Sequence, residues 1–282
     1  MNIIEAIVLG IIQGLTEFLP ISSTGHLTVA GKLMGVISSE HPEHWTAFIA
    51  VIQLGTLAAV IIYFWKEIWQ IFFSFLNENI SKRVKFQNQS FSSKLGWLII
   101  VGTIPVVIVG LSLKDIIEGA LTKNLFVISG SLIALAIILA IAEKTAKFKK
   151  EVEDISLKDA VLIGIAQCFA LIPGSSRSGT TITGGLFLGL KREDAARFSF
   201  LLSIPAVFAS GLLELYEALA FIDKAMVVDM IVATVAAAIS GYLAIDFLLK
   251  YLRKNTTFAF VYYRIAAGAF ILALLFFKVI QP

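Results

Sequence analysis

Residues 95–113 form a run of nineteen residues without one charged side chain. As a helix this run would cover about 28 Å, close to the hydrocarbon thickness of a bilayer. Five further runs share its character, and the six define expected full spans at about 46–65, 95–113, 125–143, 194–218, 226–249 and 259–280. Their apolar residues do not alternate, and backbone in lipid must satisfy its own hydrogen bonds, so they read as helices. Composition agrees. Of 282 residues 58% are hydrophobic and 15% charged, and mean hydropathy is +0.88; soluble domains are about half apolar and about a quarter charged. The expected fold is an all-α polytopic membrane protein. No Pro- or Ser-rich linker divides the chain, so one domain is expected. Trp65-Lys66 marks an interface, and residues 66–94 and 144–158 read as charged loops. Pro105 and Pro205 should kink the helices that contain them. The one cysteine, Cys168, excludes an intrachain disulfide and reads as a small packing residue. The N-terminus lacks a basic residue before its apolar run and is interrupted by Gln13, Thr16 and Glu17, so it is expected to stay in the mature protein.

Two short stretches break the pattern. Residues 3–15 and 27–36 are apolar, yet neither reaches the roughly 20 residues a span needs. Between them Thr16, Glu17, Ser22, Ser23, Thr24 and His26 fall at lipid depth, where ionisable groups are costly and point to function. A second polar segment, residues 173–181, holds Ser175, Ser176, Arg177, Ser178, Thr180 and Thr181 in the same place in the second half. The two segments are expected to meet and form one anion-handling site.

An internal repeat relates them. Residues 5–14 align with 159–168, matching Gly10 with Gly164 and Gln13 with Gln167. After one deleted position Pro20, Ser22 and Ser23 fall opposite Pro173, Ser175 and Ser176. Each half then reads as a re-entrant helical hairpin followed by three spans. Three is odd, so the halves, about 1–145 and 155–282, should be inverted relative to each other, as in several transporter folds. Loop charge agrees. Sixteen Lys and Arg residues fall on one side, in 66–94, 144–158, 191–197 and 250–257. Only Lys32, Lys114, Lys123, Lys224 and Lys278 fall on the other. The first side is then cytoplasmic and both termini lie outside.

At the tips, Pro20 and Pro173 each end a helical arm, and Ser22-Ser23 and Ser175-Ser176 suit N-caps. Two helix N-termini would present unpaired N–H groups and partial positive charge to an anion. Gly25, Gly174 and Gly179 permit close approach. Arg177 offers a planar fork for phosphate oxygens. A phosphate or diphosphate fits this set better than a cation. Glu17, Ser23 and His26 supply a base, a hydroxyl nucleophile and an orienting group within ten residues. The plain alternatives are a bundle histidine, an internal Arg177–Glu17 ion pair and simple capping by Ser22, Ser175, Ser176 and Ser178. Gln13, Gln53 and Gln167 could line the site or bridge the hairpins, and Thr28 and Thr181 follow the tips by about one turn. Asp246 and Arg264 are expected to pair structurally, and Glu143, Glu214 and Glu217 to be interfacial. Zinc-ligand and ATP-loop spacings are absent. The basic loops follow from topology, so no nucleic acid is implied.

The stretch Gln13-Gly14-Leu15-Thr16-Glu17-Phe18-Leu19-Pro20-Ile21-Ser22-Ser23-Thr24-Gly25-His26 resembles the bacterial undecaprenyl-diphosphate phosphatase family, also known for bacitracin resistance. Pro173-Gly174-Ser175-Ser176-Arg177-Ser178-Gly179 is similar to that family's second signature, and the likeness covers essentially the whole chain. It implies hydrolysis of a polyprenyl diphosphate lipid in the bacterial inner membrane, recycling the carrier for cell-wall synthesis at an outward-facing site. It implies a divalent cation, magnesium or calcium, and a homodimer is one assembly open to it. The matching catalytic positions are Glu17, Ser23, His26 and Arg177; expected substrate contacts are Ser22, Thr24, Gly25, Thr28, Gln53, Gly174, Ser175, Ser176, Ser178 and Thr181. The family's motif often begins Glu-Gly-x-x-Glu. Gln13 replaces its first carboxylate here, so Glu17 carries any metal-binding or base role alone. Ser23 is the preferred nucleophile; attack by His26 or by water is the rival. The second class of reading is transport of a polyprenyl phosphate or of phosphate, which inverted repeats also suit.

Overall fold

The computed structural model describes residues 1–37, 42–113, 124–219 and 224–280. These residues form eleven α-helices: α1 (Ile3–Phe18), α2 (Ser23–Met34), α3 (Pro42–Tyr63), α4 (Trp65–Leu76), α5 (Phe91–Ser112), α6 (Leu125–Thr145), α7 (Leu157–Cys168), α8 (Arg177–Phe187), α9 (Arg192–Ala218), α10 (Lys224–Leu252) and α11 (Phe258–Phe276). No β-strand occurs among the described residues. Helices α3, α5, α6, α9, α10 and α11 are long and apolar enough to cross a membrane, and each overlaps one expected span. Lys114 and Lys123 lie outside the described residues, as does the side chain of Lys224.

One expectation is corrected. The first span ends at Tyr63, and residues 66–94 are not simply a polar loop. Phe64 leaves helical geometry (φ −97°, ψ 20°), and a separate helix, α4, starts at Trp65. It exposes Trp65, Trp69, Phe72 and Phe73 and buries Ile71, which packs beside Gly96 of α5. Aromatic residues on one face of a short helix suit a membrane–water interface, and Lys66 and Glu67 within the helix mask that pattern in sequence.

Helix starts follow local chemistry. Asn2 and Glu5 form a reciprocal capping box on α1, and Ser156 and Asp159 form another on α7. Ser90 caps α5 and Asn124 caps α6. Packing in lipid relies on close van der Waals fit and small residues. Gly10 and Gly14 of α1 lie against α10, where a Cβ at Gly14 would strike Ser240 Oγ and the Ala237 carbonyl. Gly164 of α7 lies against the Gly102 carbonyl of α5 in the same way. The contacts are reciprocal: α1 packs on α10 and α7 packs on α5, while α3 meets α9 and α6 meets α11. A cluster that includes Phe18, Phe64 and Phe200 fills the space beneath the first tip, with the Phe18 and Phe200 rings edge-on at 5.2 Å.

Charged residues at the helix ends are interlocked. Arg197 meets Glu67 at 2.8 Å and Arg253 meets Glu193 at 2.6 Å. Glu143, expected at an interface, is instead buried, pairing with Arg192 and accepting from Thr257 Oγ1 at 2.9 Å. Burial without partners would leave that carboxylate uncompensated, so the ion pair and the hydroxyl supply what water would have supplied.

A candidate active site between two helix tips

Helix α1 ends at Phe18, and the chain turns through Pro20 and Ile21 to Ser22, which caps α2. Helix α7 ends at Cys168, passes through a short 3₁₀ turn and the Pro173-Gly174 bend, and Ser176 caps α8. The two caps share an uncommon backbone. Ser22 has φ 76° and ψ 100°, and Ser176 has φ 71° and ψ 113°. Each serine Oγ accepts a backbone N–H three residues on, from Gly25 at 3.3 Å and Gly179 at 3.2 Å. Non-glycine residues held at positive φ are strained and persist where their surroundings over-determine them.

These caps also correct the alignment. Ser22 and Ser176, like Gly25 and Gly179, stand 154 residues apart, as do Gln13 and Gln167. At that constant offset the comparison of the two turns needs no deleted position. Ser22 corresponds to Ser176, and Ser23 corresponds to Arg177. The paired serines and displaced prolines favour a one-residue slip in sequence; the cap geometry removes it.

Glu17, buried at 7% exposure, is the centre of the site. Its Oε2 accepts from Ser23 Oγ at 2.7 Å and from Gln13 Nε2 at 3.1 Å. Its Oε1 accepts from Arg177 Nη2 at 3.3 Å. Arg177 Nη1 donates to the Ser199 carbonyl at 3.2 Å, which sets the direction of the guanidinium. A single carboxylate thus receives a hydroxyl from the first tip and a guanidinium from the second.

The tips are tied to each other. Ser178 Oγ donates to the Leu19 carbonyl at 3.1 Å. Behind them Arg264 of α11 is fully buried and donates to carbonyl oxygens of Leu132 at 3.2 Å, Pro20 at 3.3 Å, Gly174 at 3.3 Å and Ser175 at 2.9 Å. The expected Asp246–Arg264 pair is therefore not formed. Asp246 takes Lys250 at 2.7 Å and the Tyr63 hydroxyl at 3.4 Å. At Pro20, Gly174 and Ser175 Arg264 instead satisfies carbonyls that irregular backbone leaves without helical partners. Gly174 has φ 86° and seats against Ile128 and Ser131 of α6, where a Cβ would collide with the Ile128 carbonyl.

A cavity of about 500 Å³ opens from this cluster. Its polar wall carries Glu17, Ser22, Ser23, Thr24, Gln53, Gln167, Gly174, Ser176 and Arg177. Its apolar wall is made by α5 from Val106 to Leu111 and α9 from Ala206 to Leu213, so both helices start to line it one residue past their prolines, Pro105 and Pro205. Glu214, expected at an interface, also lines the cavity.

Not every expected site residue faces this space. His26 lies on the other side of Ser22: its Nδ1 is 2.7 Å from the Ser22 carbonyl and its Nε2 2.6 Å from the Tyr263 hydroxyl, with the two rings stacked at 5.5 Å. A carbonyl only accepts, so Nδ1 carries the proton and Nε2 accepts from Tyr263. Thr28 Oγ1 bonds the Thr24 carbonyl, and Thr181 Oγ1 bonds the Arg177 carbonyl at 2.8 Å. Gly25, Ser175 and Ser178 are buried in the tips themselves. Among the described residues no group of three or more His, Cys, Asp or Glu side chains converges as a metal cage. Sequence reasoning missed Arg264, Ser131, Ser199 and Tyr263 as partners of the tips. Only Arg264 carried a signal, an arginine inside an apolar run.

Six helices long and apolar enough to cross a membrane, with a buried carboxylate and serine hydroxyl beside a largely enclosed arginine, define a multi-pass membrane protein with its polar site among the helices. The chain belongs to the bacitracin resistance protein BacA family, whose profile matches residues 6–270. It is 57% identical to the undecaprenyl-diphosphatase of Syntrophobacter fumaroxidans over 98% of both chains. It is 52% identical to that of Pelodictyon phaeoclathratiforme over all of both chains. To that of Myxococcus xanthus it is 50% identical over 98% of this chain and 90% of the relative.

Proposed function

We propose that this protein hydrolyses undecaprenyl diphosphate to undecaprenyl phosphate and inorganic phosphate. The activity for which its relatives are named supports the substrate. The observation that carries the mechanism is the 2.7 Å hydrogen bond from Ser23 Oγ to Glu17 Oε2. Glu17 takes the hydroxyl proton as Ser23 Oγ bonds to the terminal phosphorus. The bridging P–O bond breaks, and undecaprenyl phosphate leaves. Water then attacks the phosphoserine, the P–Oγ bond breaks as Glu17 returns its proton to Oγ, and both water protons leave with the released dihydrogen phosphate. Arg177 and the N-terminal turns of α2 and α8 face the charge that spreads over the transferring phosphoryl oxygens, and such positioning supplies most of the catalysis in this chemistry. His26 acts as an orienter, holding the Ser22 carbonyl that begins the tip.

The family implies a divalent cation. The donors that fit one are the Glu17 carboxylate and Gln13 Oε1, which is buried without a partner among the described residues. Magnesium is commonly held by one or two carboxylates together with substrate phosphates, so the missing cage is no obstacle. Bound there with the head group, magnesium or calcium would offset phosphate charge.

The prenyl tail fits the apolar wall between α5 and α9. We read α1–α2 and α7–α8 as re-entrant hairpins of two inverted repeats in one membrane domain. At 1.5 Å per residue these four helices are about 24, 18, 18 and 16 Å long, short of the roughly 30 Å hydrocarbon core. The cavity follows the C-terminal halves of α5 and α9, away from the Lys- and Arg-rich loops, which favours an opening on the outer face of the inner membrane.

Phosphate release from undecaprenyl diphosphate by the purified protein in detergent tests the reading. Wild type should release phosphate, and Ser23→Ala and Glu17→Gln should lose about 10³-fold or more in turnover. Near-normal turnover by Ser23→Ala, or phosphate trapped on His26, would remove Ser23 as nucleophile. No release by wild type would favour transport instead.

A further inference from the structure

Gln167 is 1% exposed, lines the same cavity as Glu17, Ser23 and Arg177, and neither its Nε2 nor its Oε1 has a hydrogen-bond partner among the described residues. Its counterpart in the first half shows why. Gln13 donates to Glu17, four residues on, at 3.1 Å. Four residues beyond Gln167 stands Leu171, whose side chain carries no acceptor. The duplicated helix therefore keeps the amide but lacks the carboxylate that would bind it. A buried polar group left unmatched carries the full cost of desolvation, and native interiors rarely retain one without a role. Arg177 Nε, in the same cavity, also lacks a partner among the described residues.

We infer that Gln167 is a substrate-binding residue, its Nε2–H donating to an oxygen of the diphosphate head while Arg177 holds the same head from the second tip. The inference rests on the phosphatase reading above. Of the two parts of a prenyl diphosphate, only the head can satisfy an amide, because the tail carries no donor or acceptor. Phosphate oxygens are anionic, and hydrogen bonds to charged groups are the stronger kind. Gln167 thus completes the polar end of the cavity from α7, a helix to which neither Ser23 nor Arg177 belongs.

The test uses the full chain in detergent, with methylenediphosphonate as a non-hydrolysable probe measured by calorimetry and farnesyl diphosphate as the turnover substrate. Gln167→Met keeps volume and removes both polar atoms. Probe affinity should fall about tenfold or more, and KM should rise in step with little change in kcat. The thermal midpoint should stay level or rise, since no hydrogen bond within the protein is lost. Gln167→Glu should bind the probe more weakly still, because it sets a negative charge against the phosphates. Unchanged probe affinity in Gln167→Met, or Gln167→Glu binding as well as wild type, would overturn the inference. So would a lowered midpoint with unchanged KM, which marks a purely structural residue. A wild type that binds the probe but releases no phosphate would sink the phosphatase reading alone.

Discussion

Ser23 and Arg177 occupy the same position, the first helical residue after a serine cap, in two turns 154 residues apart, and both bind the same carboxylate. Ser23 Oγ meets Glu17 Oε2 at 2.7 Å, and Arg177 Nη2 meets Oε1 at 3.3 Å. The two turns share one backbone geometry and differ in chemistry. One contributes a hydroxyl, the other a fixed cation, and the strained serine that precedes each sets the direction in which that residue leaves the backbone.

Arg177→Lys is expected to lower kcat/KM about 10²-fold, and Arg177→Ala further. Lysine keeps the charge but cannot hold Glu17, the Ser199 carbonyl and a phosphate oxygen with one planar group. Initial-rate phosphate release across a substrate series checks this. Equal activity of lysine and arginine would show that charge alone suffices.

Asparagine and glutamine at position 26 should behave differently. His26 donates from Nδ1 to the Ser22 carbonyl, and asparagine places an N–H near that position whereas glutamine places it one bond further out. His26→Asn should keep several-fold more activity than His26→Gln if the ring orients the tip. Loss of activity to the same background in both variants would restore Nε2 as a reacting atom.

Arg264→Met should cost on the order of 3 kcal/mol, because carbonyls of both tips would lose a charged donor while remaining buried. Turnover should fall with stability, since Arg264 spans Pro20 and Gly174. Arg264→Lys should be intermediate, because an ammonium reaches fewer carbonyls. Thermal unfolding in detergent alongside phosphate release measures both effects.

Gly110→Phe tests the tail path. A Cβ at Gly110 meets nothing within 4 Å, so the variant should fold, yet the residue lines the apolar wall. The added ring should raise KM for undecaprenyl diphosphate at least severalfold more than for farnesyl diphosphate, because only the longer tail needs that length of wall. An equal change for both substrates would place the tail elsewhere.

Much of this arrangement is legible in the chain alone. The six spans follow from long apolar runs, because lipid permits few alternatives to a helix. Glu17, Ser23 and Arg177 are visible as polar groups in stretches too short to cross. Helix α4 is not visible, because Lys66 and Glu67 interrupt its aromatic residues in sequence. Nor is the true register of the repeat, since neighbouring serines align equally well in two ways until backbone angles distinguish the cap.

What the sequence determined by itself is the solvent, the helices and the inventory of reactive groups, since these depend on hydropathy, length and residue type. Tertiary structure alone decided which groups meet. It joined Ser23 and Arg177 on Glu17, turned His26 toward Tyr263, sent Arg264 to the backbone of both tips instead of to Asp246, and left Gln167 facing the cavity. The reason is physical: a hydrogen bond needs a partner within about 3 Å, and that separation is fixed by how helices far apart in the chain pack, which no local pattern of residues encodes.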